Sequence, residues 1–267
     1  MPHWTRRFYA KQAAWSRVYY GPVHAAARAR ARWVRTVIGP PPQRVLELGA
    51  GGGQDAVALA ALGYEVWAVE QVPGLAQHIR DLARLHGQPR VRVLQADFYR
   101  VALPTAAFDA VGYWDGFGIG TDADQRRLLR RIRAWLRPHG VALIEVYTPW
   151  HAARSAGHGG RVGRAYRQYA FDGEHNRWLD RWWLPETGEQ VTQSLRCYAP
   201  ADLRLLLEGT GLTLVQIHPG GRMDEAWTRF LPHAALEEAM SYVAVLRPGS
   251  HPERPLRQPT GKQAMLQ

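Results

Sequence analysis

Cysteine, lysine and long apolar runs are all scarce in this 267-residue chain, and each scarcity removes a class of function. A single cysteine, Cys197, permits neither an internal disulfide nor a cysteine-cluster metal site, and no metal is expected. No stretch approaches the ~18 consecutive apolar residues of a membrane span. The N-terminal stretch MPHWTRRFYAKQ has no apolar secretory core, so a soluble, cytoplasmic protein with no membrane partner is expected. Lysine occurs only at 11 and 262, so the formal charge of +11 is nearly all arginine. Its densest runs, RARARWVR (28–35) and RRLLRRIRAWLR (126–137), fit solvated helix faces, with a basic patch for an acidic partner such as RNA as the competing reading.

Hydrophobic residues make up 46% of the chain, enough for a large core, and they are arranged in an alternating order. VLEL (45–48) reads as a short apolar strand, and DAVALAALG (55–63) as a small-residue helix stopped by glycine. YEVWAVE (64–70) alternates as a strand, PGLAQHIRDLARLHG (73–87) has proline at its start and glycine at its end, and VRVLQAD (91–97) is a third strand. FDAVGYW (108–114) is a fourth. Thr121 and Asp124 form a capping box for a helix that aligns Leu128, Leu129, Ile132, Trp135 and Leu136, and VALIEVY (141–147) is a fifth strand. Strands alternating with helices imply parallel pairing through crossovers, hence an α/β doubly wound, mostly parallel sheet.

The second half breaks that rhythm. RWLDRWWL and EQVTQSLRCY, joined by PETG, predict an antiparallel hairpin inserted in the sheet fold. A helix over 199–211 and strands LTLVQIH and MSYVAVLR then complete seven strands. The expected organisation is an N-terminal helical lid (1–38), a ligand-binding core (39–150), an inserted hairpin that caps an acceptor (151–198), the completion of the sheet (199–247), and a Pro-rich, charged tail (248–267) expected to be disordered.

The stretch RVLELGAGGGQ (44–54) carries the chemistry. A P-loop would need Gly-Lys-Ser/Thr after the glycines, and none follows. A dinucleotide loop needs Gly-x-Gly-x-x-Gly, and with Gly49 and Gly51 as the first two positions the third falls on Gln54. What sets the stretch apart is Glu47, an acid two residues before the first glycine. A buried carboxylate there needs a cation or hydrogen-bond donors, which suits a ligand bearing an ammonium group.

Taken in order, these motifs resemble class I S-adenosylmethionine-dependent methyltransferases of the small-molecule type, over residues ~40 to 150. The resemblance implies a Rossmann-like fold with S-adenosyl-L-methionine as cofactor. It implies that Glu47, Gly49, Ala50, Gly51 and Gly53 surround the aminoacyl end, that Glu70 with Gln71 beside it meets the ribose hydroxyls, and that Asp97 with Phe98 beside it meets the adenine. FDAVGYWDGFG and LRPHGVALIEVY resemble the fourth- and fifth-strand motifs, with His139-Gly140 where the family usually has Gly-Gly. Trp114 is a candidate cofactor wall. Asp115 and Tyr113, at the carboxyl end of a central strand, are the candidate catalytic residues, with His151, His158 and His175 as further candidate bases.

Residues for the acceptor are expected among aromatics: Tyr9, Trp15, Tyr19 and Tyr147, with the hairpin tryptophans. YWDGFG stands where amine methyltransferases of nucleic-acid bases carry Asn/Asp-Pro-Pro-aromatic, and Cys197 lacks the preceding proline typical of 5-methylcytosine enzymes. The expected activity is methyl transfer to nitrogen or oxygen of a small molecule by a monomer or homodimer. The alternatives are an RNA or protein methyltransferase using the arginine surface, a non-catalytic cofactor-binding module and, more remotely, an NAD-dependent oxidoreductase.

Overall fold

The computed structural model describes residues 4–249. Two helices, α1 (Trp4–Ser16) and α2 (Ala25–Ile38), precede the sheet where one amphipathic segment was expected. Then come β1 (Arg44–Leu48), α3 (Gln54–Ala61), β2 (Glu65–Glu70), α4 (Pro73–Leu85), β3 (Val91–Gln95), β4 (Phe108–Tyr113), α5 (Asp122–Trp135) and β5 (Leu136–Tyr147). The remainder is α6 (Pro149–Ser155), β6 (Gly159–Val162), β7 (Ala165–Asp172), β8 (Arg177–Trp183), β9 (Gln190–Arg196), α7 (Pro200–Leu207), β10 (Leu212–Pro219), β11 (Arg222–Met223), β12 (Phe230–Leu231) and β13 (Ser241–Pro248).

Seven strands form one sheet in the order β10-β13-β5-β4-β1-β2-β3, in which β13 alone runs antiparallel to its neighbours. Side chains alternate across it. Leu46 and Leu48 face the layer of α5 and α7, whereas Val45 faces α2 and α3. The helix that follows the glycines is built of small residues, and α2 meets it with Ala27, Ala31 and Val34, so two helices pack closely on that face. On the other face α5 starts at its Thr121–Asp124 capping box and buries Leu128, Leu129, Ile132 and Trp135.

The expected hairpin is β8–β9, with its turn at 185–188, and it is half of a larger unit. Strands β6 and β7 extend it to a four-stranded antiparallel sheet. The glycine-rich, arginine-rich sequence at 157–168 hid those strands, because β6 is almost wholly exposed and β7 only partly buried. Phe8 and Trp15 of α1 pack with Trp182, Leu184 and Val191 of this sheet in a core of their own. The C-terminal tail lies outside the described residues from position 250. Among the described residues no helix is long and apolar enough to cross a membrane.

The order of the seven strands reverses between β1 and β4, so their crossovers leave in opposite directions. That divergence opens a crevice at the carboxyl ends of the two strands.

Candidate active site

A cavity sits in that crevice. The core supplies Gly49 and Gly51 after β1, Glu70 and Gln71 at the end of β2, Leu75 of α4, Phe98 after β3, and Tyr113, Trp114, Asp115, Gly116 and Ile119 at and beyond the end of β4. Tyr9 of α1 and Tyr19 of the α1–α2 linker complete the lining.

The loop after β1 explains its glycines. A Cβ on Gly52 would lie 1.8 Å from the carbonyl oxygen of Tyr19, so only glycine lets the α1–α2 linker lie on the loop. Gln54 donates to the carbonyls of Tyr19 (3.0 Å) and Gly21 (3.4 Å), and His78 bridges Gly52 and Gly21. Gly53 adopts φ 83° as the N-cap of α3, and a Cβ there would collide with Ile79 of α4. It serves helix packing and does not line the cavity. Ala50 donates its N–H to Val69 and is likewise behind the wall.

Glu70 is fixed by main-chain donors. Its carboxylate accepts from the N–H of Val72 (2.7 Å) and of Gly51 (2.9 Å), yet burial pushes its pKa up to about 7 against their pull. Glu47 lies on the strand face toward α2 and α3, buried, behind the glycines and off the cavity wall. Burial, with Asp55 and Glu70 adding to it and Arg30 opposing, holds its carboxyl well above the usual range, and one of its oxygens has no hydrogen-bond partner. Arg30 of α2 pairs with Asp55 at 2.8 Å, stands 4.0 Å from Glu145, and lies over the Trp114 ring at 4.8 Å.

Asp115 has φ 48°, a left-handed conformation that costs most residues energy and that Asp tolerates. Its carboxylate accepts from the Tyr147 hydroxyl at 2.6 Å. The residue is accessible because it opens onto the cavity, while protein packs densely around it. Burial pushes its pKa up to about 6, and Glu145 and Asp180 add to the rise while Tyr147 and Arg167 oppose it. Tyr113 gives the cavity its ring: its hydroxyl donates to Gly116 O at 2.7 Å and burial raises its pKa, which removes it as a proton acceptor. Phe98 meets the Tyr113 ring edge-on at 5.2 Å. Asp97, half-buried on the loop after β3, accepts from the Tyr99 N–H at 2.8 Å and does not line the cavity.

Among the expected acceptor residues, Tyr9 and Tyr19 line the cavity, and Tyr147 reaches it through Asp115. Trp15 does not, being packed against the inserted sheet. The histidines lie elsewhere: His151 is buried against Trp178, with its pKa pushed down to about 4 by burial, His158 stacks on Trp227, and His175 pairs with Asp172 in an exposed turn. Sequence reasoning missed Gln193 of β9, whose amide donates to the Tyr9 hydroxyl at 2.6 Å, and the buried Arg167–Asp180 pair of β7 and β8. No local pattern marks them, since each gains its place by strand pairing.

The arginine runs are largely engaged within the molecule. Arg126 donates to the carbonyls of Leu205 and Glu208 at the end of α7, Arg130 to Gly209, and Arg28 to Val23.

A family model described as a methyltransferase domain matches residues 20–217. The chain belongs to this methyltransferase family. S-adenosylmethionine is bound in one solved structure of this fold, the CalS10 methyltransferase from Micromonospora echinaspora, which aligns with TM-score 0.56 and 20% identity over 89% of this chain and 95% of that one. Among curated relatives, a protein-L-isoaspartate O-methyltransferase of Alkalilimnicola ehrlichii is 38% identical over 119 residues, covering 39% of this chain and 50% of that one. The methyltransferase spans half or less of the length of the first such relatives. Among solved structures, the CcbJ methyltransferase from Streptomyces caelestis aligns with TM-score 0.71 and 24% identity over 91% of this chain and 98% of that one. The Burkholderia thailandensis 1,6-didemethyltoxoflavin-N1-methyltransferase, with 1,6-didemethyltoxoflavin and S-adenosylhomocysteine bound, aligns with TM-score 0.58 and 21% identity over 91% and 86%. At these identities the solved structures are likenesses of fold.

The residues present fit S-adenosylmethionine. Bare backbone at Gly49 and Gly51 permits close approach, the pinned Glu70 carboxylate faces the cavity with acceptor capacity for a diol, and aromatic and acidic walls suit a cation.

Proposed function

We propose that this enzyme methylates a nitrogen or oxygen of a small-molecule acceptor held in the cavity, by in-line displacement. The observation that carries the reading is the lining of the cavity by Tyr9 and Tyr19. The α1–α2 segment lies across the glycine loop and narrows the approach to the cavity, which favours a small molecule over a segment of polymer. When bound, S-adenosylmethionine supplies an electrophilic methyl group on a sulfonium centre.

The chain's own residues supply position and dryness. The backbone at Gly49 and Gly51 and the Glu70 carboxylate hold the cofactor's aminoacyl and ribose parts, with Phe98 on the adenine side. Tyr9, Tyr19, Tyr113 and Trp114 exclude water. Alignment of the acceptor at ~3 to 3.5 Å from the reacting carbon is the largest contribution such a site makes. Asp115 is placed to take the acceptor's proton, and Tyr147 holds it in orientation. The N-terminal helices act as a lid and the inserted sheet as a cap over the acceptor end.

Cell extract incubated with the enzyme and methyl-labelled cofactor, then separated by size, tests the proposal. Label is expected in the small-molecule fraction. Label confined to RNA or protein would overturn it, and so would RNA affinity falling steeply with salt.

A further inference from the structure

The cavity is acidic and aromatic with no counter-charge. Among the described residues its walls carry two carboxylates, Glu70 and Asp115, and no lysine, arginine or histidine. The nearby cations are engaged elsewhere: Arg167 of β7 by a two-pronged contact with Asp180 of β8, which the Trp182 indole also joins, and Arg30, which lies over the Trp114 ring, by Asp55. The two acids occupy different ends. Glu70 is tied to the glycine loop, on the cofactor side. Asp115 is tied to Tyr147 of β5, toward the inserted sheet, and lines the cavity together with Tyr9 of α1 and Tyr19 of the α1–α2 linker.

A carboxylate that opens into a pocket walled by tyrosines, with no cation in that wall, favours a ligand that brings one, and tyrosine faces attract cations as well. A neutral hydroxyl acceptor would bring none. Resting on the function proposed above, we infer that the acceptor is an amine that enters as its ammonium ion, recognised by Asp115 within the Tyr9–Tyr19 walls and deprotonated by it.

The proton account balances. The N–H bond breaks as an O–H bond forms on Asp115, and the freed nitrogen lone pair makes the N–C bond while the C–S pair remains with sulfur. Burial disfavours charge on both carboxylate and ammonium, which narrows the gap the proton must cross. The charged and titratable groups facing Asp115 are Tyr147 and Glu145 of β5, Arg167, Asp180, and the hydroxyls of Tyr9, Tyr19, Tyr113 and Tyr169.

The test uses matched probes, benzylammonium and benzyl alcohol, titrated calorimetrically at pH 7.5, where Asp115, pushed up to about 6, is mostly ionised, into enzyme saturated with S-adenosylhomocysteine. Benzylammonium is expected to bind at least ~10-fold more tightly, a difference on the order of 1.4 kcal/mol. Asp115→Asn should bring the ratio near one. Asn tolerates the left-handed backbone and still accepts from Tyr147, so the variant is expected to fold and to retain S-adenosylhomocysteine affinity. Equal affinities, binding of neither probe, or a preference surviving in the variant would overturn the inference. Failure of the wild type to bind S-adenosylhomocysteine would instead strike the underlying function.

Discussion

Replacing Glu70 by Gln should flatten the pH dependence of stability in the ligand-free enzyme. The ordinary carboxyl value is 4.5, and burial raises Glu70 to about 7 in the folded chain. A carboxyl that holds its proton more tightly when folded contributes stability that is complete below pH 4.5 and is lost as pH rises through 7. Between pH 5 and pH 8 that loss integrates to about 2.5 kcal/mol for this group alone, a sizeable part of a typical folding free energy. Gln does not titrate, so the variant lacks the slope. Exchanging one oxygen for an amide also costs a hydrogen bond with Gly51 or Val72, about 1–2 kcal/mol, at both pH values, and cancels in the difference. Asp115 titrates in the same window, but in both proteins. Urea unfolding of wild type and variant at pH 5 and 8 measures the double difference. Parallel stability curves would refute the reasoning by showing that Glu70 is solvated and ionised normally. Cofactor binding offers a second check: donors from a ribose favour the ionised form, so wild type should release protons on binding near pH 6 and the variant fewer.

Two further outcomes follow from packing. Gly52→Ala puts a methyl 1.8 Å from the Tyr19 carbonyl and should lift the α1–α2 linker, at a cost of ~1–3 kcal/mol in lost hydrogen bonds. Faster tryptic cleavage at the exposed Arg17, with the sheet intact by circular dichroism, is the expected sign, and an unchanged cleavage rate would contradict it. Cys197 is fully buried with its thiol pushed up to about 12, so iodoacetamide at pH 8 should label it only after denaturation. Rapid labelling of the native protein, read by mass spectrometry, would show that the inserted sheet opens.

The core was legible because its signals are local. Apolar runs such as the one ending in Glu70 carry strand period and strand end together, and in a doubly wound sheet strand ends are where ligands bind. Asp115 was legible for the same reason. The added elements were not, since polar, poorly buried strands such as β6 and β7 lack a strong period. The placing of Trp15 was within reach. Phe8 and Trp15 are seven residues apart and share a helix face, whereas Tyr9 lies about 100° around, so one face could not hold all three. The structure puts Phe8 and Trp15 against the inserted sheet and Tyr9 in the cavity.

On the proposed function, that division locates where acceptor choice is made. The cofactor half of the cavity is built from strand ends of one sheet, whose geometry follows from the fold. The acceptor half is built across segments distant in sequence: Tyr9 and Gln193 are 184 residues apart, Tyr147 and Asp115 are 32 apart, and Asp115 itself is held on the core. Each contact joins parts that could vary independently while the sheet stays the same. A change in α1 or β9 can therefore re-shape the acceptor end without touching Glu70 or the glycine loop. For the same reason a sequence can announce its methyl donor plainly and leave its acceptor to the packing of tyrosines around one carboxylate.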